Sequence, residues 1–189
     1  GAALAAVGDS VVAGDSAPVV VAVLGAVVPQ GVGDMAGLWN RLQRLLRHRW
    51  TEGQVSRAFP PEVLLRLERQ VAASEARHTG QVRLCVEGGL PYSYIWRDAT
   101  ARERSVSLFG KLRVWDTEHN NGVLIYLLMA DHAIEIVADR ALHRAVPTAS
   151  WHAVLDGMQQ DFRRDAYAEG LETALQRVSD LLATHFPAD

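Results

Sequence analysis

The sequence predicts an α/β fold, a three-layer α/β/α sandwich around a small mixed β-sheet. Three observations predict it. Residues 123–129 read VLIYLLM, a near-continuous apolar run that suits a central strand buried on both faces. Two further strand-like runs, Gln81–Glu87 and Ile134–Ala138, lie before and after it. Amphipathic helical stripes occur on both sides of these runs in the chain, so helices must cover both faces of the sheet.

The elements follow in order. Leu38, Trp39, Leu42, Leu45, Leu46 and Trp50 recur at helical spacing, with Arg41, Arg44, Arg47 and His48 between them, which predicts a short basic amphipathic helix. Its two readings are a peripheral contact with an anionic membrane through residues 38–50 and a helix docked on its own domain with its basic side in solvent. Pro60-Pro61-Glu62 opens a second helix, because proline is tolerated in a first turn. Val63, Leu64, Leu67, Val71 and Ala72 form its buried stripe, and Thr79-Gly80 ends it, with glycine as the cap. In Gln81–Glu87, Val82, Leu84 and Val86 alternate with Arg83, Cys85 and Glu87, the pattern of a strand with one face on the core. Gly88-Gly89-Leu90-Pro91 breaks it, and Tyr92, Tyr94 and Trp96 follow in a loop that lids the domain. Thr100 and Glu103 have capping-box spacing, so a helix runs over 101–112 with Val106, Phe109 and Leu112 inward. After the two strands, Pro147–Ser150 caps a helix carrying Trp151, Val154, Leu155, Met158 and Phe162. Tyr167–Gly170 leads into a last helix carrying Leu171, Leu175, Val178, Leu181 and Leu182.

The 189 residues suit one domain, residues 57–186, preceded by a helix and linker over 35–56. Residues 1–34 are mostly Ala, Val and Gly without amphipathic period, and are expected to stand outside the domain as translated upstream sequence or an expression remnant, the alternative being a native, weakly ordered N-terminal arm. They have no basic leader, and the apolar run Val19–Val28 is shorter than the ~20 residues a span needs. A net charge of −3 is too mild to argue for nucleic acid. The single cysteine, Cys85, excludes an intrachain disulfide and cysteine-rich zinc sites and fits a cytoplasmic protein. No base accompanies Cys85 in the sequence, so it reads as a quiet strand residue.

The chain resembles the TPM-domain family, named for a thylakoid soluble phosphatase and its relatives. The residues that carry the likeness are Leu64–Gly80 followed by QVRLCVE, then NNGVLIYLL, DHAIEIVADRAL and RRDAYAEGLETAL, over roughly 57–186. The block WDTEHNNG is similar to a bacterial branch without signal peptide or membrane helix. Three departures stand out. His132-Ala133 replaces the basic pair of an Asp-Arg-Lys element that begins at Asp131. Ala138-Asp139-Arg140 stands where Gly-Tyr-Gly is usual, and Asp165 replaces the glycine of Lys-x-Gly-x-Tyr. The resemblance implies the fold more firmly than any single activity, since the family's roles include phosphatase, photosystem repair and receptor accessory functions.

The chemistry concentrates at 116–122, where Asp116, Glu118, His119, Asn120 and Asn121 precede the central strand. Three readings stay open. In one, Asp116 or Thr117 caps a helix end and the asparagines shape the turn. In the second, Asp116 and Glu118 join Asp131 and Asp139 as oxygen ligands for Ca²⁺ or Mg²⁺, and the resemblance points the same way. In the third, a metal-activated water attacks a phosphomonoester while Arg113 and Arg140 cradle the anion. His143, His152 and His185 read as helix-surface residues, and Trp115 as a packing anchor. The function expected is a non-enzymatic, cation-stabilised module for an unidentified protein partner, the alternative a metal-dependent acid phosphatase. A monomer is expected.

Overall fold

A computed structural model describes residues 5–7, 10–13 and 35–188 of the protein; in 5–13 and at 35–42, 49, 50 and 52 it describes the backbone alone. The core of the sheet is three strands, β3 (Val82–Glu87), β4 (Val123–Leu128) and β5 (Ala133–Ala138). β3 and β4 are parallel and in register from Val82 against Val123 to Glu87 against Leu128. β5 returns antiparallel through the Asp131–His132 turn, with Val123 opposite Ala138. Every residue of β4 is buried, as its apolar run demands. Most of the residues expected in an extension, 1–34, lie outside the described set. The two described pieces, β1 (Ala5–Val7) and β2 (Ser10–Ala13), pair antiparallel, and β2 pairs with β3 at the sheet edge.

Helices cover both faces. On one, α4 (Ala101–Lys111) lies over β3, β4 and β5, beginning at the expected capping box of Thr100 and Glu103. On the other lie α2 (Pro61–Glu75), α6 (Thr148–Phe162) and α7 (Tyr167–His185), with the aliphatic side chains Val63, Leu67, Val71, Val154, Leu175 and Val178 in the core. α1 (Met35–Ala58) precedes them, and α3 (Tyr92–Trp96) and α5 (Arg140–Ala145) are short.

Several boundaries and faces differ from expectation. α1 runs through the expected linker to Ala58 because nothing before Pro60-Pro61 stops it. α2 ends at Glu75, with Ala76 as its cap and Ala72 exposed. Gly80 serves another purpose: a Cβ there would lie 2.5 Å from the Asn121 carbonyl oxygen, so only glycine lets β3 begin beside the entry to β4. The aromatic loop is the helix α3, and its exposed Tyr92 and Trp96 stack at 5.9 Å. In α4 the buried stripe is Ala101, Arg104, Ser105, Leu108 and Phe109, while Val106 is exposed.

That rotation follows from the second face of β3. The sequence pattern makes it the polar, outward face; in the structure all six residues are buried. Glu87 accepts from Arg104 Nε at 2.9 Å and from Tyr126 Oη at 2.7 Å, and a second Arg104 nitrogen pairs with its other oxygen. Arg104 must therefore face inward, which turns Val106 out. Burial, with the Glu87 charge behind it, pushes the Cys85 thiol far up, so it stays protonated and unreactive. Among the described residues no helix is long and apolar enough to cross a membrane.

Arg104→Met should destabilise the fold by about 3–5 kcal/mol, the cost of leaving a buried carboxylate without its cation. Arg97→Ala, which breaks an exposed pair with Glu103, should cost less than about 1 kcal/mol. Urea unfolding of the two variants checks the difference.

Candidate binding site at the mouth of the central strand

Chain entry into β4 is built by α4 and by the turn that follows it. Leu112 caps α4, Arg113 takes a left-handed conformation (φ 48°), and buried Val114 donates its N–H to the Phe109 carbonyl at 3.0 Å. Thr117 organises the turn. Its carbonyl accepts from Asn120 N–H at 3.3 Å and its hydroxyl accepts from Asn121 N–H at 3.0 Å. Asn120 is left-handed (φ 50°), a conformation asparagine tolerates better than most residues. Its carbonyl accepts from Ala141 N–H at 3.2 Å, which ties the turn to α5. Asn121 is fully buried and donates Nδ2–H to Thr79 Oγ1 at 3.0 Å. The asparagine pair therefore shapes the strand entry and pins it to the start of β3. Thr79 had no place in the sequence reading beyond ending a helix.

The four carboxylates expected to share a cation are not brought together. Asp139 sits at the mouth, 4% exposed, where Oδ1 accepts from Arg140 N–H and caps α5. Asp116 and Glu118 belong to the same mouth but are solvent-exposed on the turn, with His119. Asp131 follows the other end of β4, and the strand alone separates those ends by roughly 16 Å. Among the described residues no group of three or more His, Cys, Asp or Glu side chains is placed to hold a metal. Arg113 is exposed, and the Arg140 side chain is 80% exposed, its nearest carboxylate being Asp139 at 3.8 Å. Trp115, expected to anchor packing, is also exposed. His143, His152 and His185 are exposed on their helices, as expected.

Asp131 is instead the anchor of α1. Arg44 donates to Oδ2 at 3.0 Å, His48 Nε2 lies 3.2 Å from Oδ1, and Arg47 pairs with the same oxygen. The described side chains show α1 docked on its own domain, but through Arg44, Arg47 and His48 rather than with its basic side in solvent, because Asp131 draws them in; the side chains of Leu38, Trp39, Arg41, Leu42 and Trp50 lie outside the described set. Burial works against ionisation of Asp131. The hydrogen bonds from His48 and Arg44, with the Arg44 charge, overcome it and hold the carboxyl well below the usual carboxylate range.

The buried oxygens without a hydrogen-bond donor include Asn121 Oδ1 and Asp139 Oδ2, on residues that frame the mouth, and Gln81 Oε1 beside it. Orphaned buried acceptors are rare and cost free energy until a ligand, ion or water meets them. The mouth is thus a frame of backbone and amide bonds that carries these unmet acceptors, with the exposed carboxylates of Asp116 and Glu118 on its rim.

Fold and frame define an α/β domain whose candidate site lies at the start of its central strand. The chain belongs to the TPM-domain family, whose model, described as the TPM domain, matches residues 56–181. Its fold is similar to the NMR structure of BA42 protein from the psychrophilic bacterium Bizionia argentinensis. The two share 22% identity with a TM-score of 0.58, over 68% of this chain and 83% of that one. No curated protein matches the chain.

Asn121→Leu should destabilise by roughly 1–3 kcal/mol through loss of the Thr79 bond in a buried setting; a change under about 0.5 kcal/mol, the surface norm, would show that Asn121 is not structural. Asp131 supplies a pH signature. Its pKa is lower folded than unfolded, so its contribution is complete above the ordinary value of 3.8 and is lost as the pH falls below it. The stability gap between wild type and Asp131→Asn should therefore shrink as the pH falls from about 5 to about 2, measured by denaturant unfolding at each pH.

Proposed function

We propose that the protein is a non-enzymatic binding module of the TPM family that engages a protein partner at the β4 mouth, with a divalent cation as its local stabiliser. One observation carries the reading: the buried acids at the two ends of β3 and β4 are engaged in structure. Glu87 is held by Arg104 and Tyr126, Asp131 by three side chains of α1, and one Asp139 oxygen by the α5 cap. The acids of the mouth that hold no such role, Asp116 and Glu118, are exposed on the turn. General acid–base work needs a titratable group fixed within hydrogen-bond reach of the reacting atom, whereas recognition is served by exposed side chains on a rigid frame.

The cation proposed is Ca²⁺ or Mg²⁺, bound weakly. Asp139 Oδ2 and Asn121 Oδ1 supply hard oxygen donors, and Asp116 or Glu118 would join them from the turn. Asp131 drops out of the set.

The test combines two measurements. Millimolar Ca²⁺ should raise Tm by mass action and shift amide signals in residues 116–122 and 139–141, and Asp139→Asn should abolish both effects. An artificial aryl phosphate should be turned over no faster than in buffer, with or without EDTA. EDTA-sensitive turnover that Asp139→Asn removes would overturn the reading in favour of a metal-dependent phosphatase. Absence of any Ca²⁺ effect would remove the cation.

A further inference from the structure

Behind the mouth lies a buried histidine that plays no part in the proposed cation site. His78 stands between the end of α2 and the start of β3 and is 2% exposed. Its Nδ1 lies 2.9 Å from the Gly80 carbonyl oxygen, and a carbonyl only accepts. The neutral ring is therefore the Nδ1–H tautomer, which leaves Nε2 to accept from Ser74 Oγ at 2.7 Å. Ser74 is itself buried in α2. One neutral imidazole thus bridges a helix and a strand entry, with both nitrogens in use.

What it bridges to is the floor of the mouth. Gly80, held through its carbonyl, is the residue whose missing Cβ admits the Asn121 carbonyl. Thr79, between the two, accepts from Asn121 Nδ2 at 3.0 Å and donates its own N–H to the Phe186 carbonyl at 2.9 Å. A second proton has no counter-charge in this corner. Burial first, and then the Arg77 charge, hold the His78 ring below its ordinary value of 6.5, against the Gly80 bond, which favours the proton. Glu75 of α2 lies toward the Val82 N–H and Arg83 of β3, and Asp180 of α7 is taken by Arg77. His185 is exposed on the last turn of α7, and the stretch 186–188 that bridges to His78 at Pro187 is uncharged. An imidazolium in this seat would be a buried charge without a partner, so the ring takes its proton by leaving.

We propose that His78 is an acid-sensitive lock on the mouth: neutral, it holds Thr79 and Gly80 against Asn121, and protonated, it leaves its seat and frees the Asn121 side chain from Thr79. The seated ring is neutral and the displaced ring takes a proton, so acid favours the unlocked form and neutral pH the locked one. The mouth accordingly loses its hold on a ligand as its surroundings acidify. That consequence rests on the mouth being the binding site, whereas the lock itself is tested with no ligand present.

The test is an NMR titration of the calcium-free full-length chain from about pH 7.5 to about pH 5, the range in which histidines change charge. The His78 ring signals should report the Nδ1–H tautomer at the upper end and a midpoint below 6.5. The Thr79 amide and the Asn121 Nδ2 protons should shift with that same midpoint. His119, exposed on the turn, is the competing titrating group, so His119→Gln should leave the Asn121 response in place, while His78→Gln should flatten it. An Asn121 side chain indifferent to the His78 titration, a response that His119→Gln removes, or a His78 ring that stays neutral until the whole chain unfolds would each overturn the proposal. The wild-type ring and amide midpoints decide the matter even if His78→Gln does not fold. A missing Ca²⁺ response at neutral pH would tell against the cation at the mouth and leave these midpoints as they are, so the two failures are separate.

Discussion

Burial of both faces of one strand is the constraint from which the rest of the structure follows. β4 carries six fully buried residues, so helices must lie above and below it and neighbouring strands on each side. Complete burial has a cost: any polar group carried into the core must find a partner. Glu87 enters on β3, beside β4, and the response is local and specific. Tyr126 Oη from β4 and the Arg104 guanidinium from α4 converge on its carboxylate. That convergence fixes which way α4 faces and links one helical layer to the sheet by direction as well as by hydrophobic area. A buried charge network of this kind adds little net stability, yet removing one partner is costly because the other charge is left buried and unpaired.

A strand buried along its length leaves only its two ends for chemistry, and they are treated differently. The entering end is framed by Asn121, Thr79, Gly80 and the Asp139 cap, with backbone hydrogen bonds tying the turn to α5. It is stiff, acidic on its rim and incompletely satisfied inside. At the leaving end, Asp131 draws two arginines and a histidine of α1 onto one carboxylate. One end is an exposed turn on a hydrogen-bonded base, the other a surface already occupied by the chain itself. Family membership secures the fold beneath both, and the use proposed for the first rests on the side chains found there.

Legibility in the sequence tracked how local each determinant is. The apolar run 123–129, the capping box Thr100–Glu103 and the stripe of α6 were readable because each depends on neighbours within one element. The frame role of Asn120 and Asn121 was readable as one of several options, since turn amides have local habits. What failed was longer in range. The alternation of Arg83, Cys85 and Glu87 with apolar residues reads as a solvated face, because nothing in a single strand shows that Arg104, some seventeen positions later, will cover it. The inward stripe of α4 is hidden for the same reason: Val106 is apolar and Arg104 charged, and pattern alone places them the wrong way round. Asp131 and Asp139 flank one strand closely in sequence, but an antiparallel return places them at its opposite ends.

The central claim is that β4 is a rigid spine and that its entering end is framed as firmly as the strand itself. Residue-resolved hydrogen exchange under native conditions addresses it directly, because cooperative units reveal themselves by shared opening free energies. The account predicts that at neutral pH the β4 amides, Val123 to Leu128, exchange slowest and only on global unfolding, and that the Asn121 backbone amide exchanges with them. Exchange of β4 through a partial opening, or an entry turn at Asn121 that opens ahead of the strand, would contradict it.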